Sequence, residues 1–169
     1  MMEQGQLTEN DITLWDKLYK AEIELWKARG EFLRKSTNKN LIIKQSLNNQ
    51  LDRTTGLRLL LDLDVKERLL FFDDLVSLAS VDHSDVELVW KVILTLPRDF
   101  VLANIEKSAE PVLDSAVKDA YVEYRCLLTL YLKIDPYLTY RLAQKALEHE
   151  DEDVREAGED FMDMLREKY

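Results

Sequence analysis

Two histidines stand in clusters of acid. His83 lies between Asp82 and Asp85, and His149 lies among Glu148, Glu150 and Asp151. Imidazole nitrogen and carboxylate oxygen together ligate zinc and other divalent ions. Neither cluster has the paired histidines, four apart on one helix, of a metalloprotease site. The 148–153 run also lacks the glycine and the spacing of a calcium loop. Both clusters fall where a turn between helices is expected, and capping and solvation there call for the same residues. The single cysteine, Cys126, precedes Leu127 and Leu128 in an apolar helical stretch and reads as a small buried hydrophobe. Arg125 is its neighbour in sequence, but consecutive helical residues do not face each other. The chain has no glycine-rich phosphate loop and no local motif that presents a nucleophile. The residues therefore predict no catalytic centre, no metal and no cofactor.

Composition narrows the class. Among 169 residues, four glycines and three prolines favour long helices over a turn-rich β architecture. One cysteine excludes an internal disulfide and suits a reducing compartment. No signal peptide and no apolar run near the ~20 residues of a membrane span is read, so a cytoplasmic location away from membranes is expected. The net charge of −10 argues against nucleic-acid binding, which rests on neutralising phosphates. The acid is concentrated at the end: residues 146–169 hold three basic and ten acidic residues, net −7. Such a segment solubilises a terminal helix, or steers a basic partner toward it.

The elements that carry these residues are legible as helices. Thr8 and Asp11 mark a helix start, with a helix expected from about residue 11 to 35. Leu14, Leu18, Ala21, Leu25, Ala28 and Phe32 follow a 4-3-4-3-4 spacing, a heptad-like seam widened by Trp15, Tyr19, Trp26 and Leu33. This face is expected to dock on the chain's own neighbouring helix, with self-association into a homodimer as the alternative. Leu41, Ile43, Leu47 and Leu51 share a face of a second helix, which Gly56 is expected to close in a left-handed conformation. A short helix over 57–63 follows.

From Asp64 onward the chain repeats. Asp64, Asp99 and Asp135 each open a helical hairpin, 35 and 36 residues apart. The Asp64 helix is expected to reach about Ser80. Pro97 stops the next helix, and Pro111 is expected to interrupt the one begun at Asp99. Residues 117–133 form its partner, and Asp135-Pro136 is a capped start. Second helices match 34 residues apart: Leu94-Thr95-Leu96 against Leu128-Thr129-Leu130, and Trp90 against Tyr124. A fixed period of this size signals a repeat array, in which each hairpin buries its apolar face on the next. In that register Val86, Trp90, Ile93 and Leu94, with their partners at +34 and +68, form the core column. Glu87, Lys91 and Thr95, then Tyr121, Arg125 and Thr129, then Arg155, Glu159 and Asp163, form a polar column.

The run Asp151-Glu152-Asp153-Val154-Arg155-Glu156-Ala157 resembles the turn and second-helix start of a HEAT repeat. Leu142-Ala143-Gln144-Lys145-Ala146-Leu147 resembles the end of its first helix, and Asp85-Val86-Glu87 and Asp119-Ala120-Tyr121 are weaker echoes. The resemblance covers about residues 64–169. It implies an all-α, right-handed α-solenoid of stacked antiparallel hairpins, armadillo-like, with repeats over 64–98, 99–134 and 135–169. Residues 1–63 are then an N-terminal helical extension packed on the solenoid. HEAT-like folds serve chiefly as protein-binding scaffolds, so the expected function is a non-catalytic interaction or adaptor protein: a scaffold, an assembly factor or an inhibitor of a basic partner. The expected partner surface is the concave face, with Lys91, Tyr121, Arg125, Arg155 and Glu159 in contact. Arg155 has a second reading, as a purely structural group bonded to the acidic turn. The alternative function is an enzyme or enzyme subunit with an unrecognised groove site, because relatives of this fold include DNA alkylation-repair glycosylases and phycobilin lyases.

Overall fold

The computed structural model describes residues 7–114 and 120–168. They form ten helices and no strand: α1 (Glu9–Lys35), α2 (Lys39–Leu47), α3 (Arg53–Asp62), α4 (Val65–Leu69), α5 (Phe72–Ala79), α6 (Val86–Leu94), α7 (Arg98–Leu113), α8 (Ala120–Ile134), α9 (Pro136–Leu147) and α10 (Glu152–Lys168). The expected positions Val117 and Asp119 lie outside the described residues. The chain divides into two compact units, Met1–Ile42 and Ile43–Tyr169. Residues 43–63 thus belong with the hairpins rather than with the extension.

In the first unit, α1 starts as its sequence requires. The Thr8 hydroxyl accepts from the Asp11 N–H at 3.2 Å, and the Asp11 carboxylate accepts from the Thr8 N–H at 2.9 Å. The Thr8 hydroxyl also donates to the Asp11 carboxylate at 2.7 Å, and this bond, with the Thr8 N–H, holds the Asp11 carboxyl below its usual pKa. No residue of α1 is buried. Trp15 is 67% and Trp26 is 76% exposed.

The second unit is built around Ile43, Leu57, Leu60, Leu75, Ile93, Ile105, Leu127 and Leu128, all fully buried. Gly56 is not a helix end. It sits inside α3, is buried, and no described residue has positive φ. Its role is close approach: a Cβ there would lie 2.0 Å from the Ser46 hydroxyl of α2.

Asp64 caps as expected, accepting from the Glu67 N–H at 2.9 Å, but the helix it opens breaks at Leu70 and Phe71. There the ladder tightens to three-residue bonds, Leu70 to Glu67 and Phe71 to Arg68. The tightening shifts the helical phase, so that adjacent Phe71 and Phe72 are both buried. Asp99 is not the cap of α7; Pro97 precedes the first turn and Asp99 lies within it. Pro111 does not interrupt α7 either, and the Asp114 N–H still reaches the Glu110 carbonyl at 2.9 Å. Only the proline's own missing donor is lost, within the last turn. Asp135 is the cap read from the sequence, accepting from the Tyr137 and Leu138 N–H groups, with Pro136 at the first helical position.

The largest correction is one of register. In α6 the buried residues are Val89, Val92 and Ile93, with Leu96 just beyond the helix; in α8 they include Tyr124, Leu127, Leu128 and Tyr131. Between these two helices each pair is 35 apart, not 34, whereas between α8 and α10 the 34-residue match holds, with Tyr124 and Gly158, and Leu127 and Phe161, all buried. One residue turns a helix by about 100°. Leu94, the sequence match of Leu128, is therefore 46% exposed while Leu128 is fully buried. Trp90 is only partly buried for the same reason, and the Lys133 ammonium lies 5.3 Å from its ring centre.

Arg68 is a buried cation that joins three elements. It donates to the Thr95 hydroxyl after α6 at 2.7 Å, and to the Leu61 and Leu63 carbonyls ending α3 at 3.3 and 2.8 Å. Arg68→Ala removes all three donors and leaves sheltered carbonyls without partners. Urea unfolding is expected to show a loss of about 2–3 kcal/mol, the scale of a charge-assisted hydrogen bond. A loss under about 0.5 kcal/mol would show that water replaces the guanidinium.

Candidate functional site

The two acidic turns have the same construction. In each, the histidine Nδ1 accepts the backbone N–H of the aspartate two residues on: Asp85 to His83 and Asp151 to His149, both at 3.1 Å. His83 Nε2 also lies 3.1 Å from the Leu78 carbonyl, and His149 packs edge-on against Tyr124 at 5.4 Å. Each imidazole thus closes a turn, with the ring nitrogen that faces the backbone already engaged. No group of three or more potential metal ligands occurs among the described residues. Burial pushes the Cys126 thiol up, with Asp82 adding to it, so thiolate chemistry is disfavoured there.

The polar column divides into three roles. Tyr121 and Arg125 come together on α8: the guanidinium donates to the Tyr121 hydroxyl at 3.0 Å and lies 5.4 Å from its ring centre. The other Arg125 nitrogen donates to Asp160 of α10 at 2.8 Å. Asp160 was not legible as a site residue by type. It stands 35 residues from Arg125, a separation that recurs below and could have flagged it. Arg155 is committed to the backbone, donating to the His149 and Glu150 carbonyls at 2.9 and 2.7 Å. It ties the acidic turn to α10, so of its two readings the structural one describes what it touches. Lys91 and Glu159 are exposed and make no hydrogen bond or ion pair among the described residues. Thr95 accepts from Arg68 and belongs to the framework.

Bonds between successive hairpins repeat the same interval. Ser108 donates to Asp73 at 2.6 Å, Arg141 grips Glu106 with two bonds of 2.8 and 2.7 Å, and Arg125 meets Asp160, each pair 35 residues apart. The Glu106 bond is the main reason the Arg141 pKa is raised. Arg98 adds a contact to Asp135 at 2.7 Å and to the Ile134 carbonyl at 2.8 Å. Such half-exposed pairs contribute little individually, about 0–1 kcal/mol, but they fix which residues stand side by side.

No protein family, curated protein or solved structure matches this chain.

A cleft of a size that suits a small ligand lies in the second unit. It measures about 780 Å³ between α5 and α7, with Phe72 and Phe100 in edge-to-face contact at 5.1 Å and Asp73, Asn104, Lys107 and Ser108 along it. Its polar groups are already engaged: Asp73 of α5 accepts from Ser108 of α7, and Asn104 donates to the Phe100 carbonyl within α7. No described helix is long and apolar enough to cross a membrane.

Proposed function

We propose that this chain is a non-catalytic protein-interaction module, a scaffold, assembly factor or inhibitor, built as a short HEAT-like α-solenoid. It presents the polar faces of α6, α8 and α10 to a partner with a basic contact surface. The observation that carries this reading is the recurrence of side-chain bonds at an interval of 35 residues. A bonded ladder of that kind stacks like hairpin on like hairpin and brings positions 35 apart side by side, as extended binding surfaces require. Tyr121 and Arg125 lie on α8, already oriented by each other and by Asp160 of α10. Tyrosine and arginine are enriched at binding hot spots, and pre-ordering lowers the entropy lost on association. Exposed Lys91 of α6 and Glu159 of α10 supply further charge. The acidic end of the chain raises the rate of encounter, a field screened within ~8 Å at physiological ionic strength.

The test is capture of the partner from the native host by mass spectrometry, followed by kinetics. Glu150→Gln with Glu152→Gln should slow association and flatten its salt dependence. Asp151 is left intact because it accepts from the Asp153 and Val154 N–H groups at the start of α10. Tyr121→Ala with Arg125→Ala should speed dissociation at least tenfold, about 1.4 kcal/mol. A double variant that folds and binds like the parent would place the partner on another face.

A further inference from the structure

We propose that two copies of this chain associate through α1 as a parallel, in-register coiled coil. This stands independently of the partner reading above. The 4-3-4-3-4 spacing puts Leu18, Leu25 and Phe32 at the a positions of a heptad, and Leu14, Ala21 and Ala28 at the d positions. α1 spans 27 residues, about 40 Å of seam. Leu14, Leu18 and Leu25 are 56%, 53% and 40% exposed.

Charge selects the occupant and its direction. The g positions hold Lys17, Glu24 and Glu31, and the e positions hold Trp15, Glu22 and Arg29. In a parallel pair each g residue faces the e residue five places on in the other helix. Lys17 then faces Glu22 of the second copy and Glu24 faces Arg29 of the second copy, both pairs opposite in sign, while Glu31 faces the neutral Ser36. An antiparallel pair that aligns all three a with all three d positions keeps one attraction, Lys17 against Glu31, but sets Glu22 against Glu22 and Glu24 against Glu24. Within its own helix Glu24 takes only an exposed bond from Lys27 at 3.2 Å, which costs little to share.

Sedimentation equilibrium of the full chain at tens of micromolar is expected to give twice the 19.9 kDa chain mass. A monomer overturns the proposal. Leu18→Glu is expected to return the protein to a monomer with its helical circular dichroism unchanged, since Leu18 is already exposed in the single chain. Leu25→Glu serves as a second such variant, and a dimer that survives both uses another face. Direction is read by Leu14→Cys in a Cys126→Ser background. Oxidation is expected to give a covalent dimer, because position 14 faces itself only in the parallel arrangement. In the antiparallel one the two cysteines stand 18 residues of rise apart, about 27 Å, far beyond disulfide reach. A dimer by mass that does not cross-link overturns the parallel pairing.

Discussion

Leu128→Ala is expected to lower stability by about 2–5 kcal/mol, and Leu94→Ala by less than about 0.5 kcal/mol. By sequence the two leucines are the same residue of successive repeats, each followed by Thr-Leu. By structure they are not equivalent. Leu128 is fully buried, and truncating it removes packed methyl groups and leaves a cavity that the neighbouring helices only partly close. Leu94 is 46% exposed, so its truncation gives up little that water had not already reached. Urea midpoints of the two variants, with unchanged slopes, measure the contrast. Equal losses would show that the 34-residue match, not the 35-residue one, sets the core.

Gly158→Leu is expected to weaken the packing of α10 on α9 by about 2–3 kcal/mol. A Cβ at Gly158 would lie 2.9 Å from the Ala143 carbonyl oxygen, 3.1 Å from the Ala146 Cβ and 3.1 Å from the Leu147 nitrogen. Two of these three atoms are backbone, and backbone cannot rotate aside as a side-chain tip can. Leucine gains about 1 kcal/mol of helix propensity or less over glycine, too little to offset the displacement of a whole helix. Loss of ellipticity together with faster proteolysis inside 152–168 would report it. A variant that melts with the parent would show that α10 moves away without cost.

Much of the fold was legible where a residue acts locally. Thr8 with Asp11, Asp64, and Asp135 with Pro136 each declare a helix start through bonds spanning two or three residues, and each is a cap in the structure. Reasoning failed where distant neighbours decide. Gly56 carries the chemistry of a helix end, yet its function is to admit Ser46 from another helix. The match of Leu94-Thr95-Leu96 to Leu128-Thr129-Leu130 set the wrong phase because similar triplets need not point the same way. At the candidate surface, Tyr121 and Arg125 were legible by type and spacing. Asp160 was not, because a single acid among ten in the last 24 residues gives no signal until its partner 35 places away is known.

The packing in residues 43–169 is short-ranged along the chain. The principal partners of α5 are α6, α7 and α8; those of α8 are α5, α7, α9 and α10; and α10 packs on α8 and α9. Chains whose contacts are local close small loops first and fold quickly. They also open piecewise: amide protons in α10 should exchange with solvent before those of α5 or α8, because fewer helices hold it. A nascent chain settles hairpin by hairpin as synthesis proceeds. A protein seated on Tyr121, Arg125 and Asp160 would bridge α8 and α10 and act as a splint on that loose end. Its arrival should then be visible as slowed exchange in α10, well beyond the residues it touches.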